Sequence, residues 1–230
     1  MRRSLLISLA ASFIVPALAI GQSGPSLSFG VMAGGAITSM DGFNLAAKDL
    51  FNGTSKVKSR MGVLGGAYVR VSLTSMFSLQ PEVYYMQKGA DLSFGGTGQA
   101  VGVLESKLAY VEVPLLLRVN LMSSGSVRPF IVAGPSYAMR MACKLTLTGS
   151  GLTTPLNYEC DKIPGTTANS YQADTYEKSD VGGIIGVGIG TSKFAVQARY
   201  AHGFTTIATA ASNGQKPKTT AMSIVLSIGM

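Results

Sequence analysis

Glu82 and Glu112 are the two carboxylates of this 230-residue chain whose setting most invites chemistry, because each lies on the polar face of a segment of alternating hydrophobicity. Paired carboxylates can divide general-acid and general-base work. Four cations, Arg70, Lys88, Arg118 and Arg199, fall on the same parity of their own segments. Burying any of these charges alone is costly, so the six are expected to neutralise one another. Pairing back from a tight turn at 74–76 sets Leu73 opposite Phe77 and Tyr68 opposite Glu82. Arg70 then lies diagonal to Glu82, within reach of a long side chain. The six read as an ionic plug that fills an interior and fixes register, rather than as a catalytic pair or a proton path.

Other candidate chemistry is thinner. His202 is the only histidine. A Ser-His-acid set would need a serine on its face and an acid on the following segment, and neither is placed there. Gly182, Gly183, Gly186, Gly188 and Gly190 match a phosphate-binding fingerprint only by count, since no helix follows them. Their use is close packing in a curved sheet. No catalytic, cofactor-binding or metal-binding residue is assigned, no cofactor is expected, and the chain reads as a non-enzyme.

The elements that must position these residues alternate with a period of two from about Leu27 onward. Residues i and i+2 of a strand share a face. Eight segments emerge, at 26–38, 60–73, 77–88, 107–120, 128–142, 179–190, 193–206 and from 218 to the end. The last sets Met222, Ile224, Leu226 and Ile228 against Ala221, Ser223, Val225 and Ser227. In the fifth the faces are ambiguous, because Phe130 and Val132 alternate with Ile131 and Ala133. Connections alternate in length: short at 74–76, 121–127 and 191–192, long at 39–59, 89–106, 143–178 and 203–217.

The N-terminus has the parts of a secretory leader. Arg2 and Arg3 precede an apolar run from Leu5 to Val15, Pro16 breaks it, and Ala17-Leu18-Ala19 offers small residues for cleavage before Ile20. The expected organisation is a cleaved signal peptide at 1–19, a short lead at 20–25 and one β-barrel domain at 26–230. Charged residues are only 13% of the chain, about half the ~25% usual for soluble domains. The net charge of +8 is scattered and forms no nucleic-acid footprint. Cys143 and Cys160 have 16 residues between them. In an exported chain they are expected to form a disulfide, since a metal site would need two further ligands nearby.

These features together predict an all-β, eight-stranded antiparallel up-and-down transmembrane barrel with short periplasmic turns and long outer loops. A soluble barrel of lipocalin type would put its apolar faces inward. The mostly small and polar second faces of the segments favour lipid outside, because an eight-stranded interior is narrow.

Several motifs carry a family resemblance. They are Leu79-Gln80-Pro81-Glu82-Val83-Tyr84-Tyr85 with Gln87-Lys88-Gly89, and Tyr110-Val111-Glu112-Val113-Pro114-Leu115-Leu116-Leu117-Arg118. Arg128-Pro129-Phe130 with Ala133-Gly134-Pro135, Asp180-Val181-Gly182, and Arg199-Tyr200 with Gly203 complete the series. In order and spacing the chain resembles the outer-membrane β-barrel "porin family" that includes the PorT-like proteins of Bacteroidetes. The resemblance implies an eight-stranded outer-membrane barrel and no agreed activity. Members commonly end in an aromatic residue, where this chain has Met230. The implied surroundings are outer-membrane lipids and the barrel-assembly machinery, with a protein or glycan as a possible partner of the long loops. The functional expectation is a structural or surface-interaction barrel with a plugged lumen. The alternatives are an accessory subunit of an envelope secretion system, a small pore and a lipid-modifying enzyme.

Overall fold

The computed structural model describes residues 26–41, 54–95, 102–122, 124–150, 153–159, 177–205 and 218–229. The expected leader, the lead segment and Cys160 lie outside them. The described residues form nine strands: β1 (Ser26–Asp41), β2 (Thr54–Ser72), β3 (Phe77–Gly95), β4 (Gly102–Asn120), β5 (Arg128–Gly149), β6 (Leu156–Glu159), β7 (Ser179–Gly190), β8 (Phe194–Gly203) and β9 (Lys218–Gly229). The expected count of eight is corrected to nine. The added strand, β6, has four residues and pairs only with the far end of β5, from Lys144↔Glu159 to Leu147↔Leu156. It is too short for alternation to mark it.

The other eight strands each pair antiparallel with two neighbours in a ring that runs β1–β2–β3–β4–β5–β7–β8–β9 and back to β1, with β6 a third partner of β5. This ring leaves no open edge. At the short-turn end consecutive strands are joined by three short turns. Two of the turns share a device: Thr74 Oγ1 accepts from the Phe77 amide at 3.0 Å, and Thr191 Oγ1 accepts from the Phe194 amide at 3.0 Å. The third turn needs a left-handed residue, supplied by Gly125 at φ 113°.

At the long-loop end the strands are uneven. β7, β8 and β9 have 12, 10 and 12 residues, whereas β2, β3 and β4 have 19 and β5 has 22. β2 to β5 therefore continue past their neighbours as a separate four-stranded extension, with β6 added to its edge. The expected segments at 60–73, 77–88, 107–120 and 128–142 stop short of it. Two bulges explain part of that shortfall. Between Ser59 and Leu64, β2 carries one more residue than β3, and Met141 of β5 is the extra residue opposite Ala109 and Tyr110 of β4. A bulge exchanges the two faces of a strand and bends it. In β5, Phe130, Val132 and Ala138 point inward below the bulge, and Cys143 and Leu145 point inward above it. The ambiguous faces of β5 are thereby resolved, with Ile131 outside.

Below the bulges the interior is polar and aromatic, and the exterior is apolar. Leu115, Val187, Ile224 and Leu226 are between 45% and 60% exposed, while Gln80, Glu82, Glu112 and Gln197 are at most 3% exposed. Tyr68 lies directly over Gly30, and Phe130 packs on Gly188, so each glycine makes room for a ring where a Cβ would collide. Above the bulges the interior is apolar: Met40, Ala90, Leu108, Cys143 and Leu145 form a core with Val57, Leu104 and Tyr158 against it.

Candidate functional site

The interior face of the ring gathers the six charges, because each lies an even number of residues from its inward neighbours on an unbulged stretch. Glu82 of β3 and Arg199 of β8 meet across the lumen in a two-pronged ion pair, with Nη1–Oε2 2.7 Å and Nη2–Oε1 2.8 Å. The fork of guanidinium on carboxylate is the strongest geometry available to such a pair. Gln80 Nε2 donates to Glu82 Oε1 at 2.7 Å, and Arg70 Nε donates to Gln80 Oε1 at 2.9 Å. Tyr68 pairs with Glu82 in the ladder. Arg70 does not bond Glu82: Gln80 stands between them and relays the contact. A second set sits nearer the long loops. Lys88 is ion-paired with Glu112, which also accepts from Tyr84 Oη at 2.7 Å. The Lys88 ammonium stands 5.2 Å from the Tyr110 ring centre.

Arg118 joins neither set. Its guanidinium lies on the Phe130 ring, 3.4 Å from the centroid, and its Nε donates to Asn120 Oδ1 at 3.2 Å. The lumen is thus crossed by two bonded groups and lined by Tyr68, Tyr84, Tyr110 and Phe130, each at most 5% exposed.

Sequence places Gln80 and Tyr84 on the lumen face without giving them a role in the ion pairs, and gives Asp180 none. Gln80 and Tyr84 flank Glu82 at i−2 and i+2, so their parity was the available signal. Asp180 is 6% exposed and accepts from Thr219 Oγ1 at 2.7 Å, closing the long-loop end of β7 onto β9. On the outside of the extension Arg60 contacts Asp91 at 2.7 Å and Glu105 at 3.5 Å, and Lys107 contacts Glu105 at 3.4 Å. Asp91 and Glu105 fall in the stretch that reads as the loop 89–106, whereas Arg60 and Lys107 open the expected segments 60–73 and 107–120.

His202 lies on the outer face between Tyr200 and Phe204, with ring centres 6.4 and 5.7 Å away. Its Nδ1 has no hydrogen-bond partner among the described residues. Cys143 is 8% exposed in the core of the extension. Its expected partner, Cys160, lies outside the described residues.

An ionic interior inside an apolar exterior reverses the arrangement of a soluble protein. With a closed ring of strands it defines a membrane-spanning β-barrel, the one β architecture that satisfies its backbone in lipid. The family model described as outer membrane protein beta-barrel domain matches residues 20–209, and the chain belongs to that family. It is a protein of the outer membrane. No curated protein matches it. Among solved structures it is similar to Ail, the attachment invasion locus protein of Yersinia pestis, at 10% identity and TM-score 0.41, covering 90% of this chain and 99% of that one. It is also similar to Neisserial surface protein A at 11% identity and TM-score 0.43, covering 89% and 98%. A third is the outer membrane enzyme PagL, at 14% identity and TM-score 0.35, covering 86% and 98%.

Proposed function

We propose that the chain is a non-enzymatic surface-interaction protein, held by a plugged barrel and acting through the structure above it. The observation that carries this reading is the length of β2 to β5. A strand needs about 9–11 residues to cross a bilayer. These have 19 to 22, so roughly eight residues or more of each stand beyond the lipid, on the order of 25 Å of strand or more. In this reading the short turns are periplasmic, and the extension with its long loops faces outward. A Cys143–Cys160 bridge staples β5 to the segment after β6 and pre-orders that surface, which lowers the entropy lost on binding. The buried Glu82–Arg199 and Lys88–Glu112 pairs, with Tyr84 and Tyr110, support a lumen that does not conduct.

The test compares the extension with the lumen. The folded chain, in lipid nanodiscs, is screened against immobilised extracellular proteins and glycans, and in parallel its conductance is recorded in planar bilayers. Binding that is lost in Lys107→Glu/Lys144→Glu and kept in Glu82→Gln, without wild-type conductance, supports the proposal. Steady wild-type conductance together with no binding would sink it and favour the small pore.

A further inference from the structure

At the short-turn end the lumen opens into a cavity of about 430 Å³ lined by Arg70, Arg118 and Arg128, with Ser72, Ser78 and Asn120 among them. Three strands deliver the guanidiniums: Arg70 two residues before the end of β2, Arg118 two before the end of β4, and Arg128 at the start of β5. Arg118 is 5% exposed. Its plane is fixed by Phe130 and its Nε by Asn120. Arg70 is held the same way, with Nε on Gln80 Oε1 and Cζ 5.0 Å over the Tyr68 ring. Arg118 therefore keeps its Nη edge free of hydrogen bonds among the described residues, while Arg70 shares its guanidinium with Tyr68 as well as Gln80. Among the described residues, none of the three arginines has a carboxylate within ion-pair distance, whereas Lys88 and Arg199 each have one.

Like charges converging on one cavity repel, and a buried cation without a counter-ion is costly. An oxyanion removes both penalties. A carboxylate has two oxygens and one charge, which leaves one guanidinium unmatched. A phosphate-class group has three or more oxygens and up to two charges, and guanidinium edges match it two bonds at a time. The hydroxyls of Ser72 and Ser78 can add donors. A water takes roughly 30 Å³ in the liquid, so the cavity holds such a group together with several waters. We propose that the short-turn mouth of the barrel is a binding site for a phosphate-class oxyanion, borne either by a soluble molecule or by a lipid headgroup.

The experiment uses the full chain refolded in zwitterionic micelles and titrated calorimetrically with inorganic pyrophosphate. Saturable binding is expected, weakening as salt is added. Arg128→Gln, at the half-buried rim, should weaken it about tenfold, the factor for one charge-assisted hydrogen bond. Lys193→Gln, at the neighbouring turn but outside the cavity, should leave it unchanged. Arg118→Gln should abolish it; if that variant fails to fold, as judged by the mobility of unboiled protein, Arg128→Gln alone decides. A second arm measures thermal unfolding in phosphatidylcholine nanodiscs with and without phosphatidylglycerol. Arginine-dependent pyrophosphate binding supports a soluble ligand. Arginine-dependent stabilisation by phosphatidylglycerol alone supports a headgroup. Neither effect, or effects equal in wild type and Arg128→Gln, overturns the site.

Discussion

The ring and the extension are parts of the same strands with opposite polarity. In the ring β4 points Glu112 and Arg118 inward and Leu115 and Leu117 outward; in the extension it points Leu108 inward and Lys107 outward. The solvent outside explains the reversal. Lipid accepts Leu115 but offers no partner to a charge, so charges must go inside and be paired there. Water accepts Lys107, so the apolar groups go inside, as in any soluble sheet. In β2 and β5 the change is aided by one extra residue each, which swaps the faces at the level where the shorter strands end. In β3 and β4 no extra residue is needed, because the inward residue types themselves change from Glu82 to Leu92 and from Glu112 to Leu104. The ring is therefore an anchor whose order depends on buried ion pairs. The extension is a small sheet whose order depends on an apolar core.

Breaking an ion pair should hurt the ring more than any other single change. Glu82→Gln leaves Arg199 buried at 5% exposure without its counter-charge. The expected loss is about 3–5 kcal/mol. The chain has no Trp, so the readout is the urea concentration at which unboiled protein loses its fast gel mobility. Glu82→Gln/Arg199→Met should recover most of the loss, because the pair is then removed together. A double variant as unstable as the single one would show that the pair does more than neutralise charge.

A charge placed on the outer face separates the two regions more directly. Leu115→Lys, in the middle of the apolar belt, should cost about 2–4 kcal/mol in a lipid bilayer. Thr146→Lys, on the extension, should change stability by no more than about 0.5 kcal/mol. Equal effects in a urea titration of the two variants in vesicles would contradict the boundary drawn at the bulges.

The bridge expected at Cys143 concerns the extension alone. Closing a loop of this length is worth about 3 kcal/mol by the chain-entropy account. Cys143→Ser should therefore speed proteolysis of 150–178 while leaving the urea midpoint of the ring within about 0.5 kcal/mol of wild type. A fall in that midpoint as large as the one from Glu82→Gln would mean that the two regions unfold together.

How much of this was readable beforehand follows the same boundary. In the ring, lipid on one side and a narrow interior on the other enforce strict alternation, so β7 could be bounded to the residue and the six lumen charges selected by parity. Which charge meets which was less legible. Glu82 and Arg199 are 117 residues apart and meet only because the ring closes. Arg70 was expected on Glu82, but Gln80 occupies the intervening space. Most of the extension reads as loop in the sequence because Lys56, Lys58, Asp91 and Glu105 resemble solvated residues, and because the bulges between Ser59 and Leu64 and at Met141 break the period there. β6 shows no alternation in its four residues and exists only as a partner of β5.

The smallest effect bears on whether the outer charges of the extension build it or merely sit on it. Arg60 is about one-quarter exposed and contacts both Asp91 and Glu105. Exposed pairs of this kind contribute roughly 0.2–1 kcal/mol and weaken with salt. Arg60→Gln should lower the stability of the extension by that amount in low salt and by less in high salt, read by amide exchange of residues 89–95 and 102–108. The residue also stands where β2 leaves the ring, within the bulged stretch between Ser59 and Leu64. A loss well above this range, insensitive to salt, would show that Arg60 fixes the bend rather than the charge balance, and the boundary between the two regions would then rest on a side chain as well as on an inserted residue.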